Sequence, residues 1–123
     1  MLSNLGKDSE VVVNSKGGRQ SKLDYSFHLS DPYANFALAK VLAQGAEKYA
    51  RDNWRLIDVE GHLNHALVHI NAFLAGDVQD DHLEHALCRL HMAVAKNCRP
   101  DYLGVFKHSL LRPEVNVKSK SVV

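Results

Sequence analysis

The chain has 123 residues, of which 46% are hydrophobic and 24% are charged, a composition typical of one small globular domain. Its formal net charge of +1 excludes a strongly basic surface, so we expect no nucleic-acid partner. No apolar run is long enough to span a membrane, and we expect neither a membrane partner nor a signal peptide. Cys88 and Cys98 would lie about 15 Å apart on one helix, too far for a disulfide. Reduced thiols indicate a cytoplasmic protein.

Helical periodicity covers the middle of the chain and predicts an all-α fold, a small helical bundle with three main helices. We expect a helical domain over residues 24–112, between a flexible N-terminal segment (1–23) with a basic loop at 16–21 and a flexible C-terminal tail (113–123). The first helix should begin at Pro32, with Asp31 as its cap, and end near residues 50–52.

The second and third helices are predicted to form an antiparallel pair. The second follows the candidate cap Asp58 and ends at Gly76, because glycine commonly terminates helices. The third begins at Asp80 or Asp81 and ends before Pro100. Only about four residues connect the two helices, and so short a connection makes consecutive helices antiparallel neighbours. A short further helix is predicted over residues 102–111.

The pattern HLxHAL occurs at residues 62–67 and again at residues 82–87. Because positions i, i+3 and i+7 share one helix face, the repeat predicts a polar stripe on each helix of the pair. We call the two stripes together the histidine seam; its members are His62, His65, His69, His82, His85 and Arg89. Leucines and alanines occupy the adjacent stripe, which predicts that the seam borders the core, where pKa values are readily perturbed.

The seam is compatible with three kinds of role. Neutral imidazoles can hold a divalent metal together with the nearby acids Glu60, Asp77, Asp80, Asp81 and Glu84. Alternatively, protonated imidazoles and an arginine can hold a phosphate chain. In a third interpretation the histidines are structural and form hydrogen bonds across the helix pair or a subunit interface.

A second group of polar and aromatic residues closes the first helix, in the stretch EKYARDNWR at residues 47–55. Its aromatic rings can stack on a nucleobase, and its lysine and arginines suit phosphate. The same residues also fit a helix end whose basic charges match the helix dipole, with Trp54 packed in the core. The stretch Gly17–Arg19 lacks the spacing of a Walker motif, and neither cysteine has an activating neighbourhood.

Four stretches of the chain resemble a known family: GGRQS at 17–21, then residues 31–55, 62–77 and 80–93. They are similar to the phage-encoded dATP/dGTP diphosphohydrolase family, which looks like a branch of the MazG-like all-α nucleoside triphosphate pyrophosphohydrolases. The resemblance implies a nucleotide-binding helical domain that forms a homo-oligomer and uses Mg²⁺ or Mn²⁺. It also implies cleavage of a purine (d)NTP to the monophosphate and pyrophosphate, in the host cytoplasm if the chain is phage-encoded.

The resemblance, together with the types and positions of the residues, indicates roles for individual residues. The catalytic candidates are His65, His69, Asp81, His82 and His85. The substrate-binding candidates are Arg19, Gln20, Lys48, Tyr49, Asn53, Trp54, Arg55, His62 and Arg89. The metal-binding candidates are Glu47, Glu60, Asp77, Asp81 and Glu84.

The chain departs from the MazG-like pattern at one point. Those enzymes place E-x-x-E on one helix and E-x-x-D on the next, whereas this chain has histidine pairs at the matching spacing. Acidic pairs suit Mg²⁺, and imidazole pairs suit softer metals or none. Two alternatives to hydrolysis therefore stay open: a phage protein that binds and sequesters a nucleotide without cutting it, and a purely structural helical oligomer.

Overall fold

The computed structural model describes Leu2 and residues 5–104, which divide between two compact units, residues 1–32 and 33–123. In the first unit, β1 (Val11–Val13) and β2 (Arg19–Ser21) form an antiparallel hairpin in which Val12 pairs with Gln20. A 3₁₀ turn follows at Phe27–Leu29. The prediction of a loop over residues 16–21 was therefore wrong for residues 19–21.

The hairpin has two local causes in the sequence. Three consecutive valines favour extended backbone because they are β-branched. The Asn14 side chain closes the turn, since its Oδ1 accepts hydrogen bonds from the backbone N–H groups of Lys16 at 2.9 Å and Gly18 at 2.8 Å. Gly17 supplies the positive φ, +82°, that this turn requires.

The second unit contains the predicted helices, α1 (Pro32–Tyr49), α2 (Val59–Leu74) and α3 (His82–Cys98), with a 3₁₀ turn at Asn53–Leu56. The prediction of a small, mainly helical bundle is confirmed, and the helix bounds agree with the sequence to within a few residues. The helix expected at 102–111 and the tail at 113–123 lie outside the described residues, apart from 102–104. Within the described part, no helix has both the length and the apolar character needed to cross a membrane.

Both ends of α2 have the caps that the sequence indicated. Asp58 accepts a hydrogen bond from the Gly61 N–H at 2.7 Å. At the other end, Gly76 has a φ of +87° and donates to the Phe73 carbonyl, and the Asp77 N–H donates to the Ala72 carbonyl, each at 3.0 Å. These two bonds form a Schellman motif. The motif turns the chain back so that Asp77 lies beside the first turn of α3.

Alanines are prominent among the buried side chains of α2 and α3. The buried apolar side chains of the described residues are Ala66, Ala86, Cys88, Met92 and Ala93. The leucine stripe expected in the core is instead exposed. We call this stripe the apolar face; seven of its members, between 38% and 75% exposed, are Leu63, Leu67, Leu74, Leu83, Leu87, Leu90 and Val94. Alanines let the two helices approach closely, and the leucines flank that contact on a side that α1 does not bury.

Candidate functional site

The two stripes of the histidine seam meet crosswise between α2 and α3. The Nδ1 atoms of His69 and His82 are 2.9 Å apart, and an Nη1–H of Arg89 donates to Nδ1 of His62 at 3.2 Å. Because the helices are antiparallel, the third member of one repeat meets the first member of the other. The seam therefore has two chemically different ends, which we call the acidic end, at His69 and His82, and the basic end, at His62 and Arg89.

At the acidic end, a chain of contacts joins two carboxylates to three imidazoles. Nε2 of His82 lies 2.5 Å from Oδ2 of Asp77, and this hydrogen bond holds the pKa of the Asp77 carboxyl below its usual range. Nε2 of His85 lies 3.4 Å from Oδ1 of Asp80. The His85 ring stacks on His69 with centroids 5.0 Å apart. Burial, then the neighbouring His85 and His82, lower the pKa of His69, which favours its neutral form.

At the basic end, His62 fixes the position of Arg89. The His62 side chain is fully buried, and its Nε2–H donates to the Trp54 carbonyl at 2.8 Å. Because Nε2 carries the proton, Nδ1 has a free lone pair, which accepts the hydrogen bond from Arg89. Burial is the main cause that lowers the pKa of His62, so the ring stays neutral beside the guanidinium. Both ring nitrogens of His62 have partners inside the protein, and its predicted contact with substrate stays a prediction.

Arg55 has a similar internal role next to Trp54. Its guanidinium lies 4.1 Å from the centre of the Trp54 ring and 4.8 Å from that of Tyr102. Its Nε–H donates to Asp52 at 2.8 Å. Asp52 is buried with a φ of +64°, and Gly104 packs against it so closely that an added Cβ would lie 2.8 Å from the carboxylate. Arg55, predicted to bind substrate, thus stabilises the loop that carries Trp54.

A cavity of about 870 Å³ opens between the second half of α1, the loop after it and the seam. This volume lies in the range of small-molecule sites. Its walls carry three formal cations, Lys48, Arg51 and Arg89, and two carboxylates, Asp52 and Asp80. Because cations outnumber carboxylates and imidazoles lie between them, the cavity favours an anionic ligand.

The structure brings most of the predicted binding and catalytic residues to this cavity. Those that line it are Lys48, Tyr49, Asn53, Trp54, His65, His69, His85 and Arg89. His82 and Asp77 are not among the lining residues, but His82 contacts His69, which lines the cavity, and Asp77 contacts His82. Arg19 and Gln20 lie on β2 in the first unit, so their substrate contact stays a prediction.

None of the five predicted metal ligands is among the residues that line the cavity: Glu47, Glu60, Asp77, Asp81 and Glu84. Glu60 and Glu84 occupy the first turns of α2 and α3, where a negative charge is favourable beside the helix dipole. Asp81 holds the cap position of α3 and is exposed. The residues whose ligand atoms do converge, all within 4.8 Å of one another, are His69, Asp80 and His82.

Sequence reasoning missed the roles of Asp80, Arg51 and Asp52. The sequence places Asp80 beside the seam but predicts the catalytic and metal-binding role for Asp81. The turn in which the His82 N–H donates to the Asp80 carbonyl brings Asp80 to the cavity, and helical periodicity carries no information about that turn. Cys88 also lines the cavity, and burial raises the pKa of its thiol, which agrees with the prediction that it is not a nucleophile.

Comparison with known proteins supports the resemblance seen in the sequence. No curated protein and no solved structure matches the chain. The model of the family described as dATP/dGTP diphosphohydrolase, N-terminal, matches residues 14–103, which include all three helices, the cavity and both repeats. The chain therefore belongs to the dATP/dGTP diphosphohydrolase N-terminal family.

Proposed function

We propose that this chain hydrolyses a purine deoxynucleoside triphosphate to the monophosphate and pyrophosphate in the cavity beside the seam. The observation that carries the proposal is the cavity itself, whose lining combines cations, aromatic rings and a histidine–carboxylate pair. The family match points to the same substrate class. Membership alone does not define a reaction, so the proposal depends on what these side chains can do.

The two ends of the seam suit different parts of a nucleotide. Arg89 lies two helical turns, about 10 Å, from His82 along α3, a span comparable with a triphosphate chain. Lys48 and Arg51 lie on the opposite wall of the cavity and can neutralise phosphate charge. One face of Trp54 is covered by Arg55, whereas Tyr49 is 47% exposed. Lys48 lies 5.1 Å from the centre of the Tyr49 ring, so it is the greater exposure of Tyr49 that makes it the better ring for stacking on the base.

We assign the proton transfer to His85. Asp80 lies 3.4 Å from Nε2, which favours a proton on that nitrogen and leaves Nδ1 to accept one from water. The water oxygen then bonds to the α-phosphorus, and the bond from that phosphorus to the bridging oxygen breaks. Pyrophosphate leaves, and the Asp80 carboxylate stabilises the imidazolium until it releases its proton.

The donor set does not fit the Mg²⁺ that the family resemblance implies. Mg²⁺ requires oxygen ligands in nearly octahedral geometry. Two of the three ligands that converge among the described residues are imidazoles, and the glutamates expected to hold the metal point elsewhere. No step of the proposed reaction is therefore assigned to Mg²⁺.

We also propose that a second copy of the chain covers the apolar face. The repeat places matching residues on both helices, Leu63 with Leu83 and Leu67 with Leu87, so the face has an approximate two-fold symmetry of its own. A two-fold dimer pairs the same patch of both subunits, and two helix hairpins joined through this face form a four-helix bundle. An exposed stripe this long is unusual for a monomer.

Ion-exchange analysis of products tests the reaction. The four deoxynucleoside triphosphates are incubated with the full chain and Mg²⁺, Mn²⁺ or Co²⁺. We expect dATP and dGTP to give monophosphate and pyrophosphate, and His85→Gln to lower kcat by about 10²-fold or more. His28→Gln, in the first unit, is the control. Diphosphate and free phosphate as products would contradict the reaction, and tight binding with intact nucleotide recovered would favour sequestration.

A further inference from the structure

The two nitrogens of His82 have different partners, and this difference defines which one is available to a ligand. The Nε2–H of His82 donates a hydrogen bond to the Asp77 carboxylate, and the two atoms are 2.5 Å apart. Nδ1 is then a lone pair directed at His69. The side chain is only 10% exposed, so the ring is held in this orientation. A carboxylate that orients an imidazole in this way is the usual partner of a metal-binding histidine.

His69 presents its own Nδ1 to that lone pair. The two atoms are 2.9 Å apart, so a proton on Nδ1 of His69 forms a hydrogen bond to Nδ1 of His82. Stacking on His85, with an angle of 18° between the rings, holds His69 in place. When the His69 proton moves to Nε2, both Nδ1 atoms carry lone pairs, and a rotation of the two rings that separates these atoms to about 3.4 Å directs both lone pairs at one cation. Two converging imidazole lone pairs form a chelate for a metal cation.

Asp80 supplies a third ligand on the cavity side. Its Oδ1 accepts the Asp81 N–H at 2.8 Å, which fixes the carboxylate. Its ligand atom lies within 4.8 Å of those of His69 and His82. Tetrahedral ligands about 2.1 Å from a metal lie about 3.4 Å apart. The two Nδ1 atoms, 2.9 Å apart, must therefore separate by about 0.5 Å, and the Asp80 oxygen must approach them by about 1.4 Å at most. The cavity leaves a further position open to water or phosphate.

We propose that His69, Asp80 and His82 bind a divalent first-row transition-metal ion, with Asp77 orienting His82, and that this site prefers such ions to Mg²⁺. This metal site lies at the cavity of the proposed function. Its test does not depend on the reaction, because metal binding is measured without nucleotide. Two nitrogen ligands and one carboxylate suit Zn²⁺ and Co²⁺, whose affinities for nitrogen donors exceed that of Mn²⁺.

Metal titration of the full chain, freed of metal with a chelator, tests the site. Co²⁺ should give the visible absorption of a low-symmetry, nitrogen-ligated ion at one equivalent, and Zn²⁺ should displace it. Calorimetry should rank the affinities as Zn²⁺ above Co²⁺, Co²⁺ above Mn²⁺, and Mn²⁺ above Mg²⁺. Equal affinity for Mg²⁺ and Co²⁺, or absence of a stoichiometric Co²⁺ spectrum, would overturn the proposal.

Variants separate this site from other surface histidines. His82→Ala and Asp80→Asn should abolish the Co²⁺ spectrum, and Asp77→Asn should weaken binding about 10- to 100-fold. His65→Ala is the matched control, because His65 lies on α2 one turn before His69 and outside the cluster. Equal loss in His65→Ala would refute the assignment. Circular dichroism of each variant confirms folding, and Asp80→Asn keeps the side-chain shape if His82→Ala unfolds.

The outcomes also distinguish this inference from the proposed reaction. Hydrolysis with Mg²⁺ in a chain that binds no Co²⁺ would reject the metal site alone. A stoichiometric metal site in a chain that leaves every triphosphate intact would reject the reaction alone.

Discussion

Arg89 and His62 are 27 residues apart in sequence, and a hydrogen bond of 3.2 Å joins them across the α2–α3 interface. Nδ1 of His62 can accept this bond because the other ring nitrogen, Nε2, donates its N–H to the Trp54 carbonyl. One buried ring thus links the loop after α1, helix α2 and the cationic end of the cavity. Protonation of His62 would place a positive charge against the guanidinium and leave its Nδ1 unable to accept.

The first prediction is a loss of stability between pH 7 and pH 5. Burial places the folded-state pKa of His62 below the ordinary value of 6.5, so below pH 6.5 the unfolded chain binds more protons. The free energy of unfolding should therefore be highest above pH 6.5 and fall as the pH drops towards the folded-state pKa. Urea denaturation at several pH values measures this slope.

The variant His62→Gln tests the origin of the slope. It should be about 1–3 kcal/mol less stable than the wild type at pH 7, because it removes a buried hydrogen-bonded ring. Its stability should depend less on pH between 7 and 5. The lowered pKa of His69 also reduces stability as the pH falls through this range. The Asp77 carboxyl affects the pH dependence of stability only below pH 3.8, its ordinary pKa. An unchanged slope in His62→Gln would contradict this assignment.

Much of the site could be predicted because helical periodicity converts spacing into position. The repeat placed His62, His69, His82 and Arg89 on facing stripes, and the caps at Asp58 and Gly76 predicted the helix pair. What the spacing did not contain is the direction of side chains in turns. Whether Asp80 or Asp81 faces the cavity depends on one backbone hydrogen bond at the start of α3.

Burial was the other quantity that the sequence did not supply. A leucine stripe predicts an apolar contact but does not say whether the contact is within one chain. Here small residues such as Ala66 and Ala86 occupy the helix interface, and Leu67 and Leu87 remain exposed. Likewise, the repeat does not reveal that His62 is fully buried while His65 is exposed, because the difference arises from the loop that carries Trp54.

The second prediction concerns two lysines on α1. Lys48 lines the cavity, whereas Lys40 lies two turns earlier and is not among its lining residues. Lys48→Ala should lower kcat/KM for dATP or dGTP about tenfold, as expected for one charge-assisted phosphate contact at an exposed position. Lys40→Ala should leave kcat/KM unchanged. Equal effects of the two substitutions in steady-state assays would exclude a specific role for Lys48.

The third prediction compares two glycines. Gly76 has a φ of +87° and no atom within 4 Å of an added Cβ, so Gly76→Ala changes the backbone strain without a clash. It should lower the free energy of unfolding by about 1 kcal/mol. Gly45 lies inside α1 with similar free space, and Gly45→Ala should raise stability by about 0.5–1 kcal/mol. Urea denaturation at pH 7.5 measures both, and the same sign for both would contradict the prediction.

The last prediction tests the covering of the apolar face. If a second copy covers it, the wild-type chain should have at least twice its 13.7 kDa mass in light scattering coupled to size exclusion. Leu67→Glu and Leu87→Glu place a charge on the exposed stripe and should give monomers, because an unpaired carboxylate in an apolar interface is costly. Leu56→Glu is the control, since Leu56 is 52% exposed but belongs to the 3₁₀ turn and not to the apolar face of α2 and α3. A monomeric wild type, or dissociation caused equally by Leu56→Glu, would show that this face does not mediate self-association.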